Sequence, residues 1–397
     1  MPDIENTDER LSSTSGSSVF KTLIELIVIV AVALGLAYLV THYVAQPYEI
    51  PSGSMEDTIQ INDRVLSEKL TYYTASPKQG DIVTFIDTEN PTRTLIKRVI
   101  AVGGGAIMDL CKLLGCKRPT SVHELYFKRE PVVHEKEVIA IPTTCGTGSE
   151  VTNISVAIVK DEKDGKLTGG DTKLGLVSDD IIPNKVCLVP DLLKTLPYKP
   201  FAASAIDALI HATESFLSPH RKTVTSEMFS VKAMEMILEG FRRIALEGPD
   251  ARMDYLGEFV HASLFAGIAF LKAGCATVHG MSFPLGGTYH VPHGESNYAL
   301  FGKILEMYDE YEPAGELGKF KEIVARCLGC TKEDALRTLN VTLEKVLHLK
   351  PLHEYGFKEE DVKAFALSVD ANQQRLITNS YRPWSIELSE RVYKECF

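Results

Sequence analysis

Four residues in the second half of the chain have the types and spacing that bind a divalent metal ion. Asp207 and His211 stand four positions apart, so a helix would place both side chains on one face. The segment ATVHGMSFPLGGTYHVPHGESN adds His279 and His293. Any one histidine is more often a packed or surface residue, but one carboxylate with three imidazoles is a usual ligand set that leaves a coordination position open for a substrate. We therefore predict a metal site at these four residues.

Helices must position such ligands. After Val189 the sequence contains long amphipathic segments, such as FAASAIDALIHATESFLS and TSEMFSVKAMEMILEGFRRI, in which apolar residues recur at helical spacing. We predict an all-helical metal-binding domain over residues 190–397.

A second pattern, ahead of these helices, is typical of a dinucleotide site. RVIAVGGGAIMDLCKLL predicts a strand, a glycine turn and the start of a helix whose N-terminus can hold a phosphate. EVIAIPTTCGTGSEVTN then predicts another strand, followed by hydroxyl-bearing and glycine residues that can hydrogen-bond a nucleotide. A glycine triplet alone is a weak signal, and the second segment strengthens it. The sequence predicts a truncated, Rossmann-like α/β nucleotide-binding region over residues 99–189.

The start of the chain has a different character. Residues 1–21 are polar and predict a disordered cytoplasmic tail, and residues 22–44 read TLIELIVIVAVALGLAYLVTHYV with Glu25 as the only charge. About 20 apolar residues suffice to cross a bilayer as a helix. A cleaved signal peptide is the alternative, although the apolar run is long for one and no small-residue cleavage site follows. Basic residues precede the span, which favours a single pass through the cell membrane with the N-terminus in the cytoplasm.

The segment at residues 45–102 contains the residue types of a serine protease. Ser52 and Ser54 lie in SGSM, and a strand-like GDIVTF is followed by TLIKRVIAV, which places Lys97 in an apolar strand. Burial disfavours the charged amine, so a neutral lysine there can accept a serine proton. The order of anchor, serine, strand and lysine resembles type I signal peptidase. That resemblance implies Ser54 as nucleophile, Ser52 as an oxyanion-hole hydroxyl, Lys97 as general base and secretory precursor proteins as substrates.

Signal peptidases also carry a later segment that supports the lysine, with further strands that close their β-rich domain. No such segment follows Lys97 in this sequence. We therefore predict a partial β-rich catalytic segment, and an anchored, inactive fragment remains the alternative.

The rest of the chain, about residues 98–397, resembles the iron-containing (group III) alcohol dehydrogenases, and among them the group that acts on 4-hydroxybutyrate. The resemblance lies in IAVGGGAIMD, IPTTCGTGSEVTN, DALIHATE, YHVPHGESNY, KPLHEYG and NQQRLITNSY. It implies metal-assisted hydride transfer from a short hydroxy acid or alcohol to NAD(P), with Fe2+, Zn2+ or another divalent ion at the four ligands above. It further implies a dinucleotide site lined by Gly103, Gly104, Gly105, Asp109, Thr143, Thr144, Thr147 and Lys173.

One position departs from the family pattern. Many members have a second histidine four residues after the third ligand, which assists proton transfer, and here that residue is Phe283. We assign His290 as the substitute proton relay, and a packing role for His290 is the equal alternative.

Composition limits the partners of the chain. Its net charge of −11 argues against a nucleic-acid surface and is compatible with a small-molecule substrate. All eight cysteines lie after residue 110, which is typical of a reduced cytoplasmic protein for the dehydrogenase part rather than of a disulfide scaffold. The family resemblance adds a possible homodimer.

The two resemblances meet in TLIKRVIAVGGGAIMDLCK, at Thr94 to Lys112. IKRVIAVGG fits the lysine strand of one family, and RVIAVGGGAIMD fits the phosphate turn of the other. No Gly-, Ser- or Pro-rich linker separates them. Our hypothesis is a hybrid, chimeric reading frame with three functional alternatives: a dehydrogenase, a signal peptidase, or a non-catalytic combination of two partial domains.

Overall fold

The computed structural model describes residues 15–50, 59–60, 62–70, 82–86, 94–98, 101–117, 125–126, 131–135, 137–163 and 166–397. The chain divides into two units, Met1–Val99 and Ile100–Phe397.

The first unit begins with an apolar helix, α1 (Ser15–Leu39), which ends in a π-helical turn, Val40–Val44. The segment Leu23–Val44 is long and apolar enough to cross a membrane, and its side chains are not buried among the residues that the structure describes. The predicted apolar N-terminal helix is therefore present, and a membrane anchor or a signal sequence would both account for it. The helix begins ahead of the predicted residue 22, because helical hydrogen bonds extend into the polar residues before the apolar run.

Two antiparallel strand pairs follow in this unit. β1 (Ala45–Glu49) pairs with β2 (Arg64–Glu68), and β3 (Ile82–Ile86) pairs with β4 (Thr94–Arg98). Lys97 lies in β4 opposite Val83, so the predicted lysine strand is a strand.

The second unit starts with the glycine turn. β5 (Ala101–Gly103) leads into α2 (Gly105–Leu114), and β6 (Ile139–Pro142) lies parallel to β5. A long antiparallel hairpin comes next, formed by β7 (Ile154–Lys163) and β8 (Lys166–Val177). β9 (Lys185–Val186) then joins the sheet parallel to β6, in the strand order β5-β6-β9.

From residue 190 onward the described chain forms helices and loops alone. The helices are α3 (Tyr198–Leu217), α4 (Val224–Glu247), α5 (Leu256–Ala273), α6 (Thr277–Tyr289), α7 (His293–Tyr311), α8 (Gly315–Leu328), α9 (Ala335–Val346), α10 (Asp361–Asn372), α11 (Gln374–Ile377) and α12 (Ile386–Glu395).

Helix α3 is the centre of this helical part. Every residue from Leu209 to Leu217 is buried, and α4, α5 and α7 pack around it. Its alanines allow neighbouring backbones to approach closely, and the surrounding helices supply the large side chains of one continuous apolar core. Helix α5 is also apolar and long, but 10 of its 18 residues are buried inside the protein, as expected for a core helix.

Candidate metal centre

The four predicted ligands come from three helices and converge on one point. Asp207 and His211 project from the central helix α3, His279 from the first turn of α6, and His293 from the first residue of α7. One ligand atom from each residue lies within 4.8 Å of the other three. Asp207 Oδ1 is 3.7 Å from His279 Nε2 and 3.9 Å from His293 Nε2.

The distances between the ligand atoms are compatible with the binding of one divalent ion by these four residues. Ligands about 2.0–2.2 Å from a tetrahedral ion lie roughly 3.4 Å from one another, so the two distances from Asp207 Oδ1 exceed that spacing by only a few tenths of an ångström. His293 is the most exposed of the four side chains, at 30%, whereas the side chains of Asp207 and His279 are at 3% and 4%. A site with three recessed donors and one at the edge leaves a side open towards a substrate.

The histidine rings are held by hydrogen bonds on their far nitrogens. His211 Nδ1 donates to the backbone oxygen of Gly146 at 3.1 Å, and its ring stacks on His279 and on Phe270 at 4.5 Å. His279 Nδ1 donates to Glu214 Oε2 at 2.6 Å. Both bonds fix the tautomer that leaves Nε2 free to bind a metal.

Electrostatics favours the ionised form of the Asp207 carboxyl, which is the form that can bind a metal ion. Burial raises the pKa of Asp207, but the three histidines outweigh it and hold that pKa below its ordinary value. Asn297 Nδ2 donates to Asp207 Oδ1 at 2.7 Å and lies 3.1 Å from His279 Nε2. The Asn297 Oδ1 atom is buried and has no hydrogen-bond partner within the described part of the chain. A divalent ion would satisfy the same oxygen and nitrogen lone pairs that this amide group contacts.

Glu214 was not predicted from the sequence, although it lies seven residues after Asp207 in the DALIHATE motif. Its carboxylate is 3% exposed and accepts hydrogen bonds from the backbone N–H groups of Ala276, at 3.0 Å, and Val278, at 2.6 Å. It therefore fixes the N-terminus of α6 as well as the ring of His279. Burial lowers the pKa of His279, but Cys275 and Glu214 outweigh it and hold that pKa well above the ordinary value.

Glu214→Gln is expected to weaken metal binding about 10- to 100-fold, the usual cost of removing a group that orients a ligand. The side-chain amide of glutamine carries an N–H donor, and this donor would face the His279 Nδ1–H, which needs an acceptor. Competition with a chromophoric chelator measures the affinity, and Glu239→Gln, on the exposed part of α4, is the matched control. Unchanged affinity in Glu214→Gln would show that the carboxylate has no part in orienting His279.

A cavity of about 350 Å³ connects three of the four ligands, His211, His279 and His293, to Gly105 of the glycine turn. The residues around it are Gly105, Ala106, Asp109, Thr147, Ser149, Thr152, Ile154, Val156, Leu174, Gly175, His211, Phe270, Cys275, His279, Phe283, His293, Asn372, Gln373, Arg375 and Leu376. One part of the cavity wall therefore consists of glycines and hydroxyl-bearing residues. Another part consists of apolar residues and the ligand histidines. Such a cavity can hold a dinucleotide end and a small substrate together.

The glycine turn packs directly on the second hydroxyl-rich segment. Thr143 N donates to Gly103 O at 3.0 Å, and a Cβ on Gly105 would lie 2.6 Å from Thr147 Cγ2. No larger residue than glycine fits at that contact without a shift. Thr144 Oγ1 is buried and has no partner in the described residues, so it is available to a ligand that enters the turn. These positions are compatible with the predicted dinucleotide site.

Asp109, predicted to contact the cofactor, lines the cavity but uses its carboxylate inside the protein. Oδ1 accepts from Ser149 Oγ and from Lys112 Nζ, and Oδ2 accepts from Val156 N at 2.9 Å. Its described contacts position the glycine turn and the loop after β6 against each other.

Lys112 is a functional-site neighbour that the sequence reasoning missed. Its side chain is fully buried, and Nζ donates to Ile154 O at 2.7 Å, Thr152 Oγ1 at 3.1 Å and Asp109 Oδ1 at 3.2 Å. A lysine in the last turn of a short helix usually interacts with solvent and the helix dipole, so its type and position gave no signal.

Glu150 is a further buried ionisable residue in this region. It is 1% exposed, and burial raises the pKa of its carboxyl to about 7. Because the folded protein holds this proton more tightly than the unfolded chain, stability falls as pH rises from about 4.5 to about 7 and stays lower above that. Glu150→Gln is therefore expected to stabilise the protein at about pH 8 by up to about 3 kcal/mol, and by much less at about pH 5. Urea unfolding at both pH values measures this, and an equal effect at both would contradict it.

The proton-relay prediction has no support from the geometry. His290 ends α6 in a left-handed conformation with φ of 53°, is exposed, and is not among the residues around the cavity. Phe283 does line the cavity, with its ring centroid 6.3 Å from that of His293.

Several predicted residues cannot be placed at a site. Ser52 and Ser54 lie outside the described residues. Lys97 and Lys173 lie in β4 and β8, and their side chains are outside the described part of the chain.

Three family models match the chain. The C-terminal model of the Fe-containing alcohol dehydrogenase family matches residues 201–397, and the iron-containing alcohol dehydrogenase model matches residues 88–190. The signal peptidase model, peptidase S26, matches residues 23–109. The match to the iron-containing alcohol dehydrogenase model and the match to the signal peptidase model overlap at residues 88–109. The overlap confirms that the two resemblances meet in the predicted segment.

Relatives and solved structures agree with the first two models. The 4-hydroxybutyrate dehydrogenase of Clostridium kluyveri is 45% identical over 76% of this chain and 78% of its own length. Long-chain-alcohol dehydrogenase 1 of Geobacillus thermodenitrificans is 32% identical over 75% of this chain and 74% of its own.

Among solved structures, a 1,3-propanediol oxidoreductase matches with a TM-score of 0.62 and 25% identity over 75% of this chain and 76% of its own. The sulfoacetaldehyde reductase of Bifidobacterium kashiwanohense, solved with NAD+, matches with a TM-score of 0.64 and 22% identity over 75% of each chain, which shows the fold alone.

Proposed function

Because the chain belongs to the iron-containing alcohol dehydrogenase family, we propose that it catalyses the metal-dependent, NAD(P)-linked oxidation of a short hydroxy acid or alcohol, with 4-hydroxybutyrate as the first candidate. The observation that carries the proposal is that Asp207, His211, His279 and His293 converge on one point, and that the three histidines line a cavity that also reaches the glycine turn. The 45% identity to a 4-hydroxybutyrate dehydrogenase supports the choice of substrate.

Each part of the site has a role in this proposal. Asp207, His211, His279 and His293 would hold the divalent ion, while the glycine turn and Thr144 would receive the dinucleotide. The ion, when bound, would supply the Lewis acidity that lowers the pKa of an alcohol, and the nicotinamide would accept the hydride. We propose that the three parallel strands β5, β6 and β9 are the Rossmann-like support of the dinucleotide site.

The wall of the cavity would exclude water from the reacting carbon. Phe270, Phe283 and Ile154 present apolar surface beside the ligand histidines. Phe283 stands where a relay histidine is common, so we expect the alcohol proton to leave through water rather than through a lining histidine.

The direct test is nicotinamide reduction by the purified full chain with 4-hydroxybutyrate, after loading with Fe2+ or Zn2+. NAD and NADP are compared in parallel, and a chelator removes the metal from a matched sample. We expect reduced nicotinamide to form only in the metal-loaded sample. Equal rates with and without chelator would contradict a metal-dependent reaction.

The second candidate function is that of a membrane-anchored signal peptidase. The match to peptidase S26 over residues 23–109 and the pairing of Lys97 with Val83 inside a β-hairpin favour it. In this proposal Leu23–Val44 crosses the cell membrane once with its N-terminus in the cytoplasm, and Ser54 and Lys97 form the dyad, with Ser52 at the oxyanion hole. Membranes that contain the chain would cleave a secretory precursor, and Ser54→Ala would abolish the cleavage. Cleavage that survives Ser54→Ala would exclude this function.

A further inference from the structure

We propose that Glu214, Cys275 and His279 form a second metal position, which binds thiophilic divalent ions such as Zn2+ and Cd2+. One donor atom from each residue lies within 4.8 Å of the other two, and all three residues are buried. Binding at this position is independent of the proposed dehydrogenase reaction and can be measured without any turnover. The second position adjoins the four-ligand centre, which consists of Asp207, His211, His279 and His293.

The donor set of the second position differs from that of the four-ligand centre by a sulfur atom. A thiolate, a carboxylate and an imidazole are all usual Zn2+ ligands, with bonds of about 2.0–2.3 Å. Donors at these bond lengths lie roughly 3.4 Å apart around a tetrahedral ion, which is inside the 4.8 Å limit of this group. Because a thiolate is a soft donor, we expect the second position to prefer Zn2+ and Cd2+ to Fe2+.

Backbone hydrogen bonds hold two of the three donors in place. The Glu214 carboxylate accepts from Val278 N at 2.6 Å through Oε1 and from Ala276 N at 3.0 Å through Oε2. The backbone oxygen of Cys275 accepts from the buried Asn379 Nδ2 at 3.1 Å. Donors that are fixed before an ion arrives lose little conformational freedom when they bind it.

An ion can reach the second position through the cavity. Cys275 and His279 are both among the residues around it. Phe270 and Leu376 pack in one apolar cluster with Cys275, and Phe283 packs against that cluster. The Cys275 sulfur interacts with the His279 ring, so an ion that enters here meets two donors already in contact.

His279 belongs to both groups, so one ion at a time can use it. Its Nδ1 donates to Glu214 Oε2 at 2.6 Å, and its Nε2 lies 3.7 Å from Asp207 Oδ1. An ion bound by Nδ1, Glu214 and the Cys275 sulfur sends the thiol proton to water and the Nδ1 proton to Nε2. The protonated Nε2 then has no lone pair for the four-ligand centre. An excess of a thiophilic ion should therefore oppose the binding of Fe2+.

Cd2+ is the probe, because a thiolate bound to Cd2+ absorbs ultraviolet light. Titration of the purified full chain compares Cys275→Ser and Asp207→Asn with the control Cys187→Ser, which changes an exposed cysteine. We expect the thiolate absorption in the unchanged chain, in Asp207→Asn and in the control. It should be lost in Cys275→Ser, with Cd2+ affinity lower by at least about 10-fold.

Two results of this titration would overturn the inference. Absorption that survives in Cys275→Ser would assign the ion to another cysteine. Absorption that is lost equally in a folded Asp207→Asn chain would make the thiol a ligand of the four-ligand centre instead.

X-ray absorption by Cd2+ bound to the unchanged chain tests the same position without any substitution. It should show one sulfur neighbour together with nitrogen and oxygen neighbours. No sulfur, or two or more, would overturn the inference. Binding of Cd2+ by Cys275 in a chain that oxidises no alcohol would support the second position and contradict the proposed function.

Discussion

Asp207→Asn is expected to lower the affinity for the divalent ion by roughly 100-fold or more, and alcohol oxidation with it, because a lost ligand costs more than a lost supporting group. Asp207 is 2% exposed and provides the one negative charge among the four converging ligand atoms. Asparagine has the same shape, so the change removes the charge and leaves the packing. Chelator competition measures the affinity, and nicotinamide reduction measures the activity.

The matched control is Asp191→Asn, since the Asp191 side chain is 75% exposed and pairs with Lys194 at the surface. It should bind metal as the unchanged chain does. If Asp207→Asn retained full metal affinity while folded, the four residues would not be the metal site.

Lys112→Met is expected to lower the free energy of unfolding by about 3–5 kcal/mol, the usual cost of breaking a buried ion pair from one side. Methionine fills a similar volume, but Asp109 and the carbonyl oxygen of Ile154 lose their shared donor. Because Asp109 also holds the hairpin through Val156 N, we expect the glycine turn to loosen and nucleotide affinity to fall.

Urea unfolding followed by the fluorescence of Trp384, in the helical part, and by circular dichroism measures the loss in Lys112→Met. Lys185→Met, on the exposed strand β9 with a 65% exposed side chain, is the control and should change stability by less than about 1 kcal/mol. A Lys112→Met chain as stable as this control would show that the buried network is dispensable.

The four candidate ligands could be identified from the sequence because ligand chemistry and helical spacing are both local. Asp207 and His211 share a face by their spacing alone, and the structure brings His279 and His293 to the same point. The glycine turn is also predictable, since Gly103 to Gly105 follow an apolar strand and precede a helix in the chain itself.

The supporting residues could not be predicted from the sequence. Glu214, Asn297 and Lys112 act through contacts with residues about 40 to 90 positions away, and no spacing rule identifies such partners. His290 remains a prediction as the proton relay: it lies near two ligands in the sequence, but it is exposed and is not among the residues around the cavity. The roles of these residues depend on their burial and on tertiary contacts, which cannot be inferred from residue types and spacing in a single sequence.

The meeting of two families in one segment has a simple physical reason. Both families need an apolar strand at this point: the first unit has β4 (Thr94–Arg98) and the second has β5 (Ala101–Gly103) before the glycine turn, and the two family matches share residues 88–109. Each unit keeps its own hydrogen-bonded strands: β3 with β4, and β5 with β6.

We propose that one divalent ion at Asp207, His211, His279 and His293 supports nicotinamide-linked oxidation of an alcohol. The most direct test is the titration of the metal-free, purified full chain with Fe2+ while the reduction of NAD(P) by 4-hydroxybutyrate is followed. We expect the rate to rise with added ion and to stop rising at one ion per chain. A rate that is independent of the ion, or no reduction at any ion concentration, would contradict this proposal.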